Sequence, residues 1–319
     1  MAVNFMEIRI KGRQTRVPCV EVEGRTVIAV GGRVKVASVF DDDVTEGELV
    51  KNPATFIPAL KRSGLKADVL TFFQRVPDSA PKFPFHHTPD NYAVVPITTF
   101  AAWWDALPQE ARKNARRAAK RGVEVKAVPF DDELVRGIKK IFDESAVRQG
   151  REFWHYGKDH ATVKMEQGTY VERSEYIGAY FEGELIGIVK FVYVDRLAYL
   201  LTIIGMNAHW DKRPMNAMVA KAIEVCAQKK AGYFVYGNYI YGNKTDSSLV
   251  EFKRRNGFVQ ADFPRYYVPL TLKGKIFVAL RLYRGLSGML PAPVLAAAWR
   301  VREMVYRRKK ASAKDENAS

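Results

Sequence analysis

The sequence predicts a mixed α/β fold, and the pattern of the middle of the chain carries that prediction. Three runs rich in β-branched and aromatic residues, Tyr176–Phe181, Leu185–Tyr193 and Leu197–Gly205, are separated only by tight turns, which is typical of an antiparallel meander. A helix from Pro214 to about Lys230 and a short strand at Tyr233–Tyr236 follow. A meander followed by strand–helix units predicts a mixed sheet flanked by helices.

The segments on either side of the meander extend this pattern. After the loop Gly237–Lys244, the segment Asp246–Phe258 predicts a helix that ends at a glycine and leads into a strand. Before the meander, Val123–Val128 alternates as a strand does, and a helix begins at the acidic cap Asp131. Leu134, Ile138, Ile141 and Phe142 form the apolar stripe of that helix, and Gly150 is predicted to end it. The region therefore predicts one continuous α/β unit.

The first 97 residues predict a smaller α/β unit. Its predicted strands are Met6–Ile10, Arg16–Val22, Arg25–Val30, Val69–Phe73 and Ala93–Ile97. Helical spacing of apolar residues predicts a helix at Asn52–Arg62, and the Pro, Asp and His content of Pro77–Asp90 predicts a loop. We therefore divide the chain into an N-terminal unit at 1–110, a second unit at 111–271 and a C-terminal region at 272–319.

The charge of the chain favours anionic partners. It carries sixteen more basic than acidic residues, so phosphorylated cofactors, nucleic acid and membrane surfaces are all favoured as partners. The two cysteines, Cys19 and Cys226, have no metal-binding spacing, and no N-terminal apolar segment resembles a signal peptide. We expect a cytoplasmic protein, with peripheral contact at the inner face of the membrane as an open alternative.

Two short stretches carry a resemblance to a known family. Arg116–Val125 is similar to the basic helix and first strand of GNAT superfamily proteins, and Leu249–Phe258 is similar to their closing helix–glycine–strand. With the order of the elements, the resemblance covers about residues 111–270 and is closest to the FemABX-like branch. It implies a GNAT-like mixed sheet flanked by helices, an N-terminal unit that is a degenerate second GNAT half, and C-terminal helices.

The resemblance also implies an activity. Such proteins transfer an acyl group from a coenzyme A thioester, or an aminoacyl group from charged tRNA, to an amine or hydroxyl. The acceptor would be a small molecule or a cell-envelope precursor, acyl-CoA would be the co-substrate, and no metal would take part. The alternative is a non-catalytic GNAT-like protein that binds RNA or acts as a peripheral membrane scaffold.

A donor of the coenzyme A type places two demands on the sequence. Its pyrophosphate needs backbone N–H groups at a helix N-terminus, and its amide-bearing arm needs a free strand edge. The edge is available if Tyr233–Tyr236 splays away from the preceding strand. The residues predicted to meet the donor there are Thr202, Ile203, Ile204, Gly205, Lys212, Arg213, Met215 and Asn216. Pro214 and the absence of glycines from this loop depart from the GNAT pattern, so charged tRNA stays an alternative donor.

The loop after the short strand supplies candidates for the chemistry. Tyr239 or Tyr241 can protonate a leaving group, and Asn238, Asn243 and Lys244 can hold the carrier or the acceptor. The alternative is a turn built by glycine and asparagine. On the next helix, Lys253 either meets a phosphate or carboxylate of the donor or is a solvated lysine.

The segment Glu152–Tyr156 is predicted to line the acceptor pocket. His155 is the candidate base because imidazole titrates near neutral pH, with Glu152 as the alternative base. Trp154 and Tyr156 are the candidate acceptor-binding residues. The competing interpretation is a packing loop in which His155 only bonds to the backbone.

Two basic segments predict contacts with larger partners. Lys113, Arg116, Arg117 and Lys120 fall on one side of the helix Pro108–Arg121, where they can meet tRNA or simply be solvated. In the region 272–310, basic residues alternate with apolar and aromatic ones. That pattern suits helices on an anionic membrane surface or helices packed on the rest of the protein.

Overall fold

A single mixed sheet of twelve strands organises the protein. The structure is a computed structural model that describes residues 2–10, 13–148, 150–241 and 245–284. The strands of the large sheet are β1 (Asn4–Ile10), β2 (Arg13–Val22), β3 (Arg25–Val30), β4 (Val36–Val39), β5 (Val69–Phe73), β6 (His87–Pro96), β7 (Val123–Val128), β10 (Ser174–Phe181), β11 (Glu184–Val194), β12 (Leu197–Gly205), β13 (Tyr233–Asn238) and β14 (Val259–Pro269). A separate hairpin consists of β8 (Val147–Arg148) and β9 (Arg151–Glu152).

Helices cover both faces of this sheet. They are α1 (Pro53–Arg62), α2 (Phe100–Ala106), α3 (Gln109–Lys120), α4 (Asp132–Asp143), α5 (His160–Gln167), α6 (Pro214–Gln228), α7 (Ser248–Arg255) and α8 (Leu272–Ala279). The predicted fold class, a GNAT-like mixed sheet flanked by helices, is confirmed. Two boundaries were wrong. β6 begins at His87, inside the predicted loop Pro77–Asp90, because residues 87–90 pair with β14. α4 ends at Asp143 and not at Gly150, because Val147–Arg148 pairs with Arg151–Glu152 in the small hairpin.

The strand order shows how the predicted units fit together. From one edge to the other it is β1-β2-β3-β4-β5-β14-β6-β13-β12-β11-β10-β7. β14 comes from the end of the second predicted unit but lies between β5 and β6 of the first. Two neighbouring pairs, β4–β5 and β12–β13, are parallel, and the others are antiparallel. Strands of both units therefore form one continuous ladder.

Alternation along the central strands divides the core into two layers. On β12, Ala198 packs into a core with Met218 and Ile223 of α6, whereas its neighbour Tyr199 packs into a second core on the opposite face. On β13, Phe234 and Val235 divide in the same way. Successive side chains on a strand point to opposite faces. Each fully buried aromatic or aliphatic side chain contributes about 1.5–3 kcal/mol from burial.

Local capping fixes where the helices near the centre of the sheet begin. The Asp131 side chain accepts from the N–H of Leu134 (2.8 Å) at the start of α4, as the acidic cap predicted. The Ser247 side chain caps α7 by accepting from the N–H of Val250 (3.2 Å). Each such cap is worth about 1 kcal/mol. The caps therefore hold the helix starts that face the central strands.

The described part of the C-terminal region begins with α8. Leu272, Ile276 and Leu280 are 53–74% exposed on it, so α8 leaves apolar surface uncovered. The rest of the predicted membrane-contacting region, from 285 onward, lies outside the described residues. Within the part of the chain that the structure describes, no helix has the length and apolar character needed to span a bilayer. Contact between 272–310 and a membrane stays a prediction.

Candidate functional site

Strands β12 and β13 part where the sequence predicts an opening. Their parallel pairing runs from Leu197 opposite Tyr233 to Tyr199 opposite Val235 and then stops, although β12 continues to Gly205. Beyond that point, among the described strands, β13 pairs with β6 alone, and β12 pairs with β11 alone. The later part of β12 is thus left without a strand partner on its β13 side, which is the free edge that an amide-bearing arm requires.

A β-bulge lies at the start of this free edge. Leu200 pairs with Phe191 of β11 and Thr202 pairs with Lys190, so Leu201 has no opposite residue on β11. It has none on β13 either, because that pairing has already ended. Leu201 is 40% exposed. Bulges place backbone groups outside the ladder and often lie beside active sites, so the peptide groups here are available to a ligand.

Lys253 places a buried ammonium beside the opening. Its side chain is fully buried, and Nζ donates to the carbonyl of Asn238, the last residue of β13. Nζ also lies 4.4 Å from the ring centre of Tyr236 and 4.6 Å from that of Tyr241. Within the described ranges no carboxylate lies within 4 Å of it, and burial lowers its pKa to about 8. The alternative of a solvated lysine is therefore wrong.

The N-terminus of α6 meets the same end of β12. Arg213 adopts a left-handed conformation (φ +59°) before Pro214, and its buried Nε has no hydrogen-bond partner among the described residues. A Cβ at Gly205 would lie 3.2 Å from the Met215 sulfur, so the glycine lets the helix approach closely. Asn216 donates to the side-chain oxygen of Asn256 (3.2 Å). The structure thus brings these predicted donor-binding residues together at one end of the opening.

Two residues that the sequence analysis missed hold the loop after β12. The carboxylate of Glu144 accepts from the N–H groups of Asn207 (2.8 Å) and Ala208 (2.9 Å). Arg148 bonds to Glu144 (2.9 Å) and to the carbonyl of Gly205 (2.8 Å). One acceptor of the free edge is therefore already occupied. The sequence signal that could have found them is their spacing of four residues, which is typical of an ion pair.

Lys212 and Arg121 add a small charged network near the same helix. Lys212 Nζ lies 3.6 Å from the carboxylate of Asp211 and 4.5 Å from the ring centre of Phe181. Arg121, at the end of α3, donates to the Asp211 carboxylate at 2.7 Å. Asp211 is thus shared by two cations, and Lys212 is paired with a carboxylate that a phosphate would have to displace.

The predicted base His155 lies in a packed environment. Its ring centre is 4.2 Å from that of Phe142 and 3.7 Å from that of Trp154, and Nδ1 is 3.2 Å from Lys158 Nζ. Burial, with the neighbouring positive charges, lowers the pKa of His155 to about 3. The imidazole is neutral near pH 7 and a weak proton acceptor. Trp154 and Tyr156 are 54% and 50% exposed.

The loop after β13 is held by a residue of the N-terminal unit. Asn91, on β6, accepts from the N–H of Tyr239 through its carbonyl (3.0 Å) and from the N–H of Ile240 through its side chain (2.6 Å). Tyr239 packs against the first core, whereas Tyr241 is 47% exposed beside Lys253. Asn91 was not predicted, because only the pairing of β6 with β13 brings it here.

Several predicted residues lie away from the opening or outside the described ranges. Asn243 and Lys244 are outside the described residues. Glu152 is exposed on the small hairpin β8–β9. No group of three or more His, Cys, Asp or Glu side chains that could hold a metal comes together in the described part of the chain. That no metal takes part stays a prediction.

The basic side of α3 is open to solvent. Lys113, Arg116 and Lys120 are exposed and Arg117 partly so. None of the four pairs with a carboxylate within the resolved ranges of the structure, and Arg116 lies 5.3 Å from the ring centre of Trp104. The face therefore carries uncompensated positive charge, as tRNA contact would require.

The chain was compared with known proteins by sequence and by structure. No family model and no curated protein matches it. Among solved structures, FemX is similar with a TM-score of 0.54 and 11% identity, over 87% of this chain and 90% of FemX. L-PGS from Bacillus licheniformis has a TM-score of 0.52 and 14% identity, over 83% of this chain and 88% of that one. These identities bear on the fold alone.

A third similar structure is the C-terminal domain of an Agrobacterium fabrum protein assigned as a lysylphosphatidylglycerol synthetase. Its TM-score is 0.53 at 12% identity, over 86% of this chain and 90% of that domain. The mixed sheet and the parting of β12 from β13 define a GNAT-like fold. More narrowly, with FemX among the similar structures, the fold is FemABX-like. The resemblance noted in the sequence is thereby confirmed at the level of the fold.

Proposed function

We propose that this protein is an acyltransferase that joins an acyl or aminoacyl group to an amine or hydroxyl where β12 and β13 part. The observation that carries the proposal is the free edge of β12 with the buried Lys253 ammonium beside it. Similar structures include FemX and two proteins named for lysylphosphatidylglycerol synthesis, which joins an aminoacyl group to a lipid. These names support the reaction class.

The donor would lie along the free edge. An amide-bearing arm would bond to the backbone of Thr202, Ile203, Ile204 and Gly205, and its phosphates would meet Lys212, Arg213 and the first N–H groups of α6 at Met215 and Asn216. If the donor is charged tRNA, the open basic side of α3 would take its phosphates. The engagement of the Gly205 carbonyl and of Lys212 favours tRNA over acyl-CoA.

The transfer itself needs positioning, an anion-stabilising group and a proton for the leaving group. The acceptor atom forms a bond to the acyl carbon while the bond to the thiolate or ribose oxygen breaks. The Leu201 peptide at the bulge, which has no ladder partner, would bond to the developing oxyanion, and Lys253, whose pKa burial lowers to about 8, can supply the proton. Tyr241 beside Lys253 is better placed than Tyr239 to assist.

The remaining predicted roles are part of the same proposal. Asn238 lies at the end of β13, where its carbonyl orients Lys253, and Asn243 and Lys244 would follow it around the donor. Trp154 and Tyr156 offer exposed rings to an acceptor. His155 and Glu152 remain candidate bases, of which His155 is disfavoured by its low pKa.

A second candidate is a binding protein without turnover at a membrane or on RNA. It is favoured by the exposed apolar residues Leu272, Ile276 and Leu280 of α8, which begin the basic region 272–310. An acyltransferase acting on an envelope precursor would use the same surface to reach it. A cytoplasmic protein held peripherally at the inner face of the membrane fits both candidates.

Donor titration followed by product analysis tests the proposal. Acetyl-CoA, a long-chain acyl-CoA and charged tRNA are titrated by calorimetry, and products with a panel of amines and alcohols are weighed by mass spectrometry. We expect one donor to bind and an acyl mass to be added, with the addition lost in Lys253→Met and kept in the surface control Lys61→Met. Salt-sensitive RNA binding with no added mass on any acceptor would favour the second candidate.

A further inference from the structure

A cleft of about 570 Å³ opens on the far side of the paired segment of β12 and β13. Its walls come from the N-terminal unit, with Gln74, Arg75 and Lys82, and from the turn before β12, with Asp195 and Arg196. Its size is within the range of small-molecule sites, which favour the junction of two units. None of the residues predicted from the sequence to bind donor or acceptor lines it.

The cleft continues into a smaller cavity deeper in the protein. This inner cavity has a volume of about 10 Å³, which is room for about one water or one ammonium group. It shares five lining residues with the cleft, Phe73, Gln74, Arg75, Val76 and Leu197. Asp43, Tyr92 and Tyr199 close its inner end together with Val235 and Phe263. A carboxylate therefore stands at the end of a passage with aromatic walls.

Asp43 has hydrogen bonds but, among the described residues, no ion pair within 4 Å. The hydroxyl of Tyr92 donates to it at 3.3 Å, and the hydroxyl of Tyr199 donates to it as well. Two arginines act on its charge from beyond 4 Å: Arg265, which pairs with Asp90 and with Asp42 (3.6 Å), and Arg75, which pairs with Asp195 (3.9 Å) and lines both cavities. Withdrawing a carboxylate from water without a cation in direct contact is costly. An ammonium ion would offset that cost and also suit the aromatic walls.

The inner cavity reaches the point where the strands part. Tyr199 is the last residue of β12 that pairs with β13, and its partner Val235 also lines the cavity. The free edge, the bulge at Leu201 and the Lys253 ammonium follow directly after this pair. A group held at Asp43 is thus next to the proposed site of transfer, on the side opposite to the free edge.

We propose that the cleft is the entrance for the acceptor and that the acceptor is a primary amine, bound at its inner end as an ammonium ion by Asp43. The inference rests on the proposed acyl transfer and narrows its acceptor from amine or hydroxyl to amine. The ammonium passes one proton to the Asp43 carboxylate, and the freed nitrogen lone pair then forms the bond to the acyl carbon while the bond from that carbon to the thiolate or ribose oxygen breaks. Lys253 gives a proton to the leaving group and takes up the second proton that the nitrogen loses, so the products are a neutral amide and a protonated leaving group. The N-terminal unit thereby supplies the acceptor side of the site.

Direct binding of simple probes tests this without any donor. n-Pentylamine and its neutral counterpart n-pentanol are titrated by saturation-transfer NMR into wild type, Asp43→Asn and Asp105→Asn, the last an exposed carboxylate on α2. We expect wild type and Asp105→Asn to bind the amine at least about tenfold more tightly than the alcohol and Asp43→Asn to lose that preference. Equal binding of amine and alcohol to wild type, or an unchanged preference in Asp43→Asn, would overturn the inference.

A second variant guards against loss of folding in Asp43→Asn. Thr98 is exposed at the mouth of the cleft, so Thr98→Trp narrows the entrance without touching the core. Thermal unfolding identifies misfolded variants, and amine binding should weaken about tenfold or more in well-folded Thr98→Trp. Unaltered amine binding in that variant would refute the cleft as the entrance. Donor binding is measured in a separate experiment. If the protein prefers the amine but binds neither acyl-CoA nor charged tRNA, the acyltransferase proposal is contradicted and the amine site at Asp43 is not.

Discussion

Two lysines of the described chain are almost completely buried, and they differ in what surrounds their ammonium groups. Lys190, on β11, is 1% exposed and Lys253, on α7, is fully buried, and burial lowers the pKa of each to about 8. Lys190 donates to the carbonyls of Gln167 (2.8 Å) and Thr169 (2.6 Å) and to the Thr169 hydroxyl (2.9 Å). An ammonium has three donors, so Lys190 is satisfied.

Among the residues that the structure describes, Lys253 contacts one oxygen acceptor, the Asn238 carbonyl, and two aromatic rings. The equal pKa values therefore hide a difference in bonding. A satisfied buried ammonium holds elements together, here the end of α5 against β11. An unsatisfied one beside an open strand edge has donors left for a ligand. The comparison teaches that unused bonding capacity, rather than burial or pKa, separates the lysine that we propose to act in transfer from the structural one.

The largest expected effect comes from replacing Lys253. In Lys253→Met we expect transfer to fall by about 100-fold or more, because a donor aimed at developing charge is removed. Stability should fall by less than about 1 kcal/mol, since methionine relieves the cost of a buried charge and only the Asn238 carbonyl loses its donor. Initial rates and urea unfolding measure both quantities. A Lys253→Met variant that keeps more than a third of the wild-type rate would contradict the role in transfer that distinguishes Lys253 from Lys190.

Replacing Lys190 should have the opposite profile. Lys190→Met leaves the carbonyls of Gln167 and Thr169 without their donor, so we expect the free energy of unfolding to fall by about 2 kcal/mol. The rate per folded molecule should stay within about twofold of wild type. Urea unfolding and rates at a temperature well below the transition check this. A large loss of rate with unchanged stability would contradict this prediction and would indicate that Lys190 acts in transfer.

The pH dependence of stability should report both lysines together. The folded pKa of each, about 8, lies below the ordinary 10.5, so the unfolded chain binds more protons between these values. The free energy of unfolding should therefore rise as pH increases from 8 to 9.5, below the range where tyrosines titrate. Urea unfolding at several pH values measures the slope. The double variant Lys190→Met/Lys253→Met serves as control, and an equal slope there would refute the assignment.

The smallest effect is expected at His155. Its imidazole is already neutral and packed on Phe142 and Trp154, so His155→Ala should change kcat/KM by less than about threefold. The wild-type pH–rate profile should lack an inflection near pH 6.5. An inflection there that disappears in the variant would restore His155 as the base and weaken the emphasis on Lys253.

The sequence predicted the fold better where its signals are local. The meander, the start of α6 at Pro214 and the acidic cap of α4 are set by neighbouring residues, and all lie where the patterns indicate. The placement of β14 between β5 and β6 depends on pairing across more than 170 residues, such as Tyr266 with His87. No short window contains that information.

The site shows the same division. The opening beside β12 followed from the order of the strands, which is visible in the sequence. The burial of Lys253 could not be predicted from the sequence, because its spacing on α7 fits a solvated face. The fold brings the rings of Tyr236 and Tyr241 against its ammonium group, and no local pattern indicates these contacts. Asp43 was also missed, since consecutive aspartates look like turn chemistry until Tyr92 and Tyr199 are placed over them.

The position of β14 has a consequence for how this molecule can be divided. β14, from the end of the second predicted unit, lies between β5 and β6 of the first. Division of the chain near residue 110 would therefore leave β14 unpaired in one fragment and would leave β5 and β6 without their shared neighbour in the other. Fragments of this kind tend to aggregate through their unpaired strand edges. Each predicted unit therefore depends on the other for a complete sheet.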